Sequence, residues 1–215
     1  MATWIAHMRV AEYFMNNFHE LNNEAFLVGN IGPDCGVPNE DRSAYVPDSE
    51  ITHWKNEGGA IDAAAFKEAH LQARDSKYPF YLGYYLHLLT DLEWAKLYSR
   101  KKLEPLYKDG LAEGNSFVRK IKKDWYGQDH LYLFQNKDCV FFNMFAKIDA
   151  FDNIYLDYYA KDALIKQVKN ISKFYLNHKE DQSRAFPYLS KEEMDAFVED
   201  CISSVKTDEV FSGGH

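Results

Sequence analysis

Between residues 79 and 102 the chain reads PFYLGYYLHLLTDLEWAKLYSRKK, apolar on almost every side from Phe80 to Leu89. A helix that is hydrophobic all round belongs in an interior, so this segment is the expected central helix. Pro79 suits its first turn, and Pro105 limits its continuation. Nearer the start, residues 2–18 place Trp4, Met8, Ala11 and Met15 three or four apart, the spacing of an amphipathic helix. His7, Val10, Ala11 and Phe14 share much of that face, which directs His7 inward. The Ala-rich stretch 60–75 and the segments 112–124, 138–151 and 160–177 read as further helices. A last helix covers 190–206, opened by Ser190 with Glu193 three residues on, a capping box. Residues 26–50 hold three Pro and three Gly without a period, which predicts an ordered loop or a set of turns. Strand-like alternation is scarce, and LYLF at 131–134 is too short to build a sheet. The expectation is an all-α fold, one multi-helix domain over residues 1–211, with residues 212–215 as a flexible tail.

A chain of 215 residues can bury a sizeable core as one domain. Apolar residues make up 46% and aromatics 16%, which excludes an intrinsically disordered chain. No apolar run reaches the roughly 20 residues needed to span a bilayer, and the opening residues lack the pattern of a signal peptide. Cys35, Cys139 and Cys201 are odd in number and far apart, so they predict neither a disulfide framework nor a CxxC metal pair. A reducing, cytoplasmic setting is expected. With 25 Lys and Arg against 33 Asp and Glu, the net charge is -8. That balance argues against nucleic acid as a partner and against stable membrane insertion.

Candidate chemistry begins with His87 and Asp91 in GYYLHLLTD. On a helix, residues four apart share a face, so an imidazole and a carboxylate can bind one ion. The same pair also fits an internal His–Asp hydrogen bond between two buried groups. Asp34 stands in GNIGPD, where Gly32 and Pro33 fix a turn and leave the carboxylate at a loop tip. His53 follows in ITHW. Each has an ordinary alternative: Asp34 as a turn cap, His53 packed beside Trp54, His7 as a core histidine. His19, His70, His178 and His215 fall in polar or terminal settings. The acidic, aromatic run at 149–162 lacks the ligand spacing of an EF-hand and reads as a solvated helical face.

TWIAHMRVAE, FLVGNIGPDCGVPN, ITHW and FYLGYYLHLLTDLEW, in this order, resemble the zinc-dependent phospholipase C family, which shares its fold with the P1-type nucleases. The likeness covers about the first hundred residues. It implies that His53, His87 and Asp91 hold a zinc, with Asp34 as a further ligand or as the catalytic base. It also implies that Asp91 bridges to a second metal taking His7, and that Trp54, Tyr84 and Tyr85 are pocket-wall candidates beside their plainer reading as core aromatics. Two family features have no counterpart. Secreted members ligate metal through a processed N-terminal Trp, whereas Trp4 is internal to an expected helix. Their third zinc needs a His six residues after the bridging Asp, where Leu97 stands. Asp124, Asp129 and His130 are candidate substitutes, although adjacent helical residues point different ways. The implied activity is hydrolysis of a phosphoester by zinc-activated water, with one or two ions. The substrate would be a small phosphoester or a phospholipid headgroup. The alternative is a non-catalytic, metal-stabilised scaffold.

Overall fold

The computed structural model describes residues 1–17, 21–39, 44–177 and 184–212. Among them the chain is all-α. Its helices are α1 (Trp4–Asn17), α2 (Asn23–Asn30), α3 (Ser49–Thr52), α4 (Ala63–His70), α5 (Tyr78–Lys101), α6 (Pro105–Leu111), α7 (Asn115–Gln135), α8 (Val140–Asn143), α9 (Ala163–Asn177), α10 (Lys191–Val205) and α11 (Glu209–Ser212). A 3-10 turn, Gly32–Asp34, follows α2. The β-structure is small: β1 (Val37–Pro38) pairs antiparallel with β2 (Tyr45–Val46). No described helix is long and apolar enough to cross a membrane. The three cysteines are free and buried.

The central helix is α5, as its apolar girth predicts. It buries residues from Phe80 to Lys101 and packs against α1, α2, α4 and α10. The α2–α5 approach is backbone against backbone. A Cβ added at Gly29 would stand 2.0 Å from the Phe80 carbonyl oxygen, and one at Gly83 the same distance from that of Phe26. Only glycine permits this contact, and it brings the Asn30 carbonyl beside His87. Stacked aromatic rings fill the layer around it, Phe66 on Tyr84 at 4.6 Å and Phe80 on Tyr155 at 4.0 Å between centroids. Buried apolar side chains form one cluster that runs from Ala2 to Phe211.

Several boundaries differ from the sequence reading, each for a local reason. The start of the expected loop 26–50 is helical, because the Asn22 side chain accepts from Ala25 N–H and caps α2. The helix expected at 112–124 runs on to Gln135 and absorbs LYLF. Its buried face includes Asp124, Gln128, Asp129 and His130, so polar residues carry positions that an apolar pattern would mark. The helix expected at 138–151 stops at Asn143, whose side-chain amide donates to the Asp138 carbonyl at 2.7 Å, and a 3-10 turn, Phe145–Lys147, follows. The run 149–162 is no solvated helical face. Asn153 accepts from the Tyr155 and Leu156 N–H groups and donates to the Leu156 and Tyr159 carbonyls. Such side-chain bonds compete with a helix, and they leave Leu156 and Tyr159 buried. At the other end, α10 carries the expected Ser190–Glu193 capping box. Ser212 of the expected tail belongs to α11, while residues 213–215 lie outside the described residues. So do His19 and His178.

Candidate metal centre

Four elements bring five side chains together. From α5, His87 and Asp91 point the same way one turn apart. From α1, His7 projects inward at the second turn. The 3-10 turn after α2 presents Asp34, held by Tyr159, whose hydroxyl donates to the Gly32 carbonyl at 2.9 Å. His53 caps the C-terminus of α3, which Tyr84 secures by donating to the Thr52 carbonyl. Trp54 then turns the chain away with a φ of 49°, in the left-handed region that bulky residues seldom adopt.

His7 and His87 are fully buried, His53 and Asp91 nearly so, and Asp34 keeps a 10% exposed side chain at the edge. Asp91 divides its oxygens. Oδ1 lies 3.3 Å from His7 Nε2, and Oδ2 lies 3.4 Å from His87 Nε2 and 3.6 Å from His53 Nε2. Asp34 Oδ1 is 3.5 Å from His53 Nε2. The His7 and His87 rings stack with centroids 3.8 Å apart.

These atoms are poorly served by hydrogen bonds. Nε2 of His7, His53 and His87, and Oδ2 of Asp91, are buried without a hydrogen-bond partner among the described residues. Native structures rarely leave such atoms orphaned unless an ion or water fills the gap. Separations of 3.3–3.6 Å exceed the usual N–H···O range. Two donors on one zinc, each about 2.05 Å from it at a tetrahedral angle, stand about 3.3–3.4 Å apart. Two overlapping sets, His7–His87–Asp91 and Asp34–His53–His87, each offer ligand atoms close enough to share an ion. Imidazole nitrogen with carboxylate oxygen is the usual donor set for catalytic zinc, so the residues present fit the metal.

The surrounding groups set protonation. His87 Nδ1 donates to the Asn30 carbonyl at 2.8 Å, so in the neutral ring the lone pair is on Nε2, facing the cluster; burial works to lower the His87 pKa, but Asp91 outweighs it and raises it. His53 Nδ1 lies 3.0 Å from Thr52 Oγ1. Burial, seconded by His87, lowers the His7 pKa to about 4, so this imidazole is neutral at pH 7. Burial works to raise Asp91, but His87 and His7 outweigh it and hold the carboxyl well below its ordinary range. Asp34 is likewise lowered, burial being outweighed by His53 and His87.

Asp124, Asp129 and His130 do not join the cluster. Asp124 accepts from Arg184 at 2.5 Å and from the Tyr188 N–H at 2.8 Å. His130 packs against the Phe174 and Tyr175 rings. Asp129 accepts from Thr3 Oγ1 at 2.6 Å and from the Tyr175 hydroxyl. Leu97 is buried in the core, and Tyr85 faces away to donate to Asp208 at 2.8 Å. Three groups given no place at the site by the sequence do touch the cluster, Trp4 among them although it is no metal ligand. Ala2 N–H donates to Asp91 Oδ1 at 2.7 Å, Trp4 Nε1–H donates to Asp34 Oδ2 at 2.9 Å, and the third is the Asn30 carbonyl. Trp4 stands one turn before His7 on α1, and that spacing was the available signal.

Burial raises the Asp129 pKa to about 7, outweighing Thr3 and Tyr175. The folded chain therefore keeps a proton that the unfolded chain releases near pH 4. This contribution to stability is full at low pH and is lost as pH rises toward 7. Urea denaturation of metal-free Asp129→Asn should show its stability rising relative to wild type between pH 4 and 7. A difference that stays flat across that window contradicts the assignment.

Residues 5–94 match the sequence model of a family described as zinc dependent phospholipase C. Over this stretch, a little under half of its length, the chain is similar to the zinc-dependent phospholipase C family. The matched segment runs from α1 to Trp94 of α5 and contains His7, Asp34, His53, His87 and Asp91. The zinc-dependent phospholipase C match thus ends before α6, leaving Asp129 and Tyr175 outside it. No curated protein and no solved structure matches the chain.

Proposed function

We propose that the protein is a zinc-dependent hydrolase of phosphoester bonds that works at the His–Asp cluster. The observation that carries this reading is the convergence of three unpartnered imidazole Nε2 atoms on Asp91 inside the family segment. His53, His87 and Asp91 would hold one ion with Asp34 beside it. Asp91 Oδ1 and His7 provide for a second. Zinc, when bound, supplies a Lewis acid for a phosphoryl oxygen and makes water acidic enough to ionise near neutral pH.

The protein's own part is positioning and proton handling. Asp34 sits at the only part-exposed edge of the five-residue set, and Trp4 ties Oδ2 so that Oδ1 faces inward. Its lowered pKa keeps it ionised at pH 7, ready to orient water and accept its proton at Oδ1. The substrate is a small phosphoester or a phospholipid headgroup. An acidic surface disfavours nucleic acid, and the chain is read as a cytoplasmic protein of one domain over residues 1–211, without membrane insertion.

Hydrolysis of bis-p-nitrophenyl phosphate and p-nitrophenylphosphorylcholine tests this reading. Activity should disappear with a chelator and return with zinc. Asp34→Asn should lower kcat by about 10²–10⁴-fold while His53, His87 and Asp91 still retain metal. A wild type that keeps zinc and hydrolyses neither ester would be a metal-stabilised scaffold instead.

A further inference from the structure

Asp129 resembles a spare metal ligand in the sequence, yet both its oxygens are spoken for. Oδ1 accepts from Thr3 Oγ1 at 2.6 Å, and Oδ2 accepts from the Tyr175 hydroxyl. Asp129 and Tyr175 lie on α7 and α9, beyond residues 5–94. All three residues are buried.

Thr3 is where this carboxylate meets the metal centre. Its hydroxyl oxygen accepts from Ala6 N–H at 3.4 Å at the start of α1, and its carbonyl accepts from His7 N–H at 3.0 Å. The preceding N–H, of Ala2, donates to Asp91 Oδ1 at 2.7 Å. One residue therefore sets both where His7 projects and what Asp91 Oδ1 meets. A Thr side chain left to itself would have other rotamers available, and among the described residues Asp129 is the acceptor of its hydroxyl proton.

We infer that Asp129 is a positioning residue for the metal centre: through Thr3 it fixes the first turn of α1 and the Ala2 N–H, and so holds His7 and Asp91 in their ligating positions. The inference rests on the zinc reading above. Outer groups that orient ligands typically contribute 10- to 100-fold to metal affinity, and that is the effect assigned to the Thr3–Asp129 contact.

The test is zinc affinity of the full chain, measured by competition with a chromogenic chelator, for wild type, Thr3→Val, Thr3→Ser, Asp129→Ala and Asp129→Asn. Thr3→Val removes the hydroxyl at nearly constant shape. Thr3→Ser keeps it. Asp129→Ala spares the Thr3 hydroxyl. Asp129→Asn is the gentler variant should Asp129→Ala not fold, since an amide accepts at only one of its two atoms and one hydroxyl loses its acceptor. Thr3→Val and Asp129→Ala should bind zinc about 10- to 100-fold more weakly, Asp129→Asn should lose no more than Asp129→Ala because its amide oxygen can still accept from Thr3, and Thr3→Ser should match wild type. A Thr3→Val/Asp129→Ala double variant should lose no more than either single variant, because both act through one contact. Zinc affinity unchanged in Thr3→Val and in a folded Asp129 variant, with only thermal stability lowered, makes the contact merely structural and overturns the inference. A wild type that binds no zinc overturns the metal centre as well, so the two failures are distinguishable.

Discussion

Asp91→Ala is expected to abolish zinc retention while leaving the helical content of the chain intact. Asp91 is the one residue whose two oxygens face all three imidazoles, at 3.3, 3.4 and 3.6 Å. Without it the remaining donors have no shared carboxylate, and no other acid of the described cluster except Asp34 faces them. Groups that only orient a ligand change metal affinity by about 10- to 100-fold, so loss of the central ligand should exceed about 100-fold. Metal analysis after dialysis reads this directly, and His87→Ala should behave alike. Zinc content equal to wild type in both variants would rule the cluster out as the binding site.

Gly83→Ala and Gly29→Ala are expected to be the most destabilising methyl additions among the described glycines. The new Cβ at position 83 would stand 2.0 Å from the Phe26 carbonyl oxygen and 2.9 Å from Asn30 N. At position 29 it would meet the Phe80 carbonyl oxygen at 2.0 Å. Overpacking against side chains costs about 1–3 kcal/mol. Here the obstacle is backbone, which cannot swing aside, so about 3 kcal/mol or more is expected, a fall in Tm of roughly 6–12 °C. The injury should reach the site. Parting α2 from α5 takes the Asn30 carbonyl away from His87 Nδ1, now 2.8 Å distant, and zinc affinity should drop with stability. Thermal melts with and without zinc check both effects. A variant with wild-type Tm would mean the two helices do not pack this closely.

How far the sequence carried can be followed residue by residue. α5 and α1 were legible because their apolar positions are periodic, and α10 because Ser190 and Glu193 form a capping box. α2 was hidden because eight residues give little period and Gly32 and Pro33 follow at once. The second half of α7 was hidden because Asp124, Gln128 and Asp129 occupy its buried face. Of the site, His87 and Asp91 could be paired from spacing alone. Assembling His7, Asp34 and His53 around them needed the family resemblance, since their sequence separations contain no geometry. The Ala2 N–H and the Asn30 carbonyl carry no residue signature at all. Asp129 misled for a simpler reason: a carboxylate reads the same whether its oxygens face a metal or two hydroxyls.

X-ray absorption at the zinc edge of the wild-type protein reads the donor atoms themselves. The structure offers imidazole nitrogen and carboxylate oxygen in the cluster and keeps all three cysteines out of both ligand sets. Bound zinc should show only nitrogen and oxygen donors near 2.0–2.1 Å, with the outer scattering of two or more imidazoles. A sulfur shell near 2.3 Å, or protein that takes up no zinc, would contradict the His–Asp metal centre.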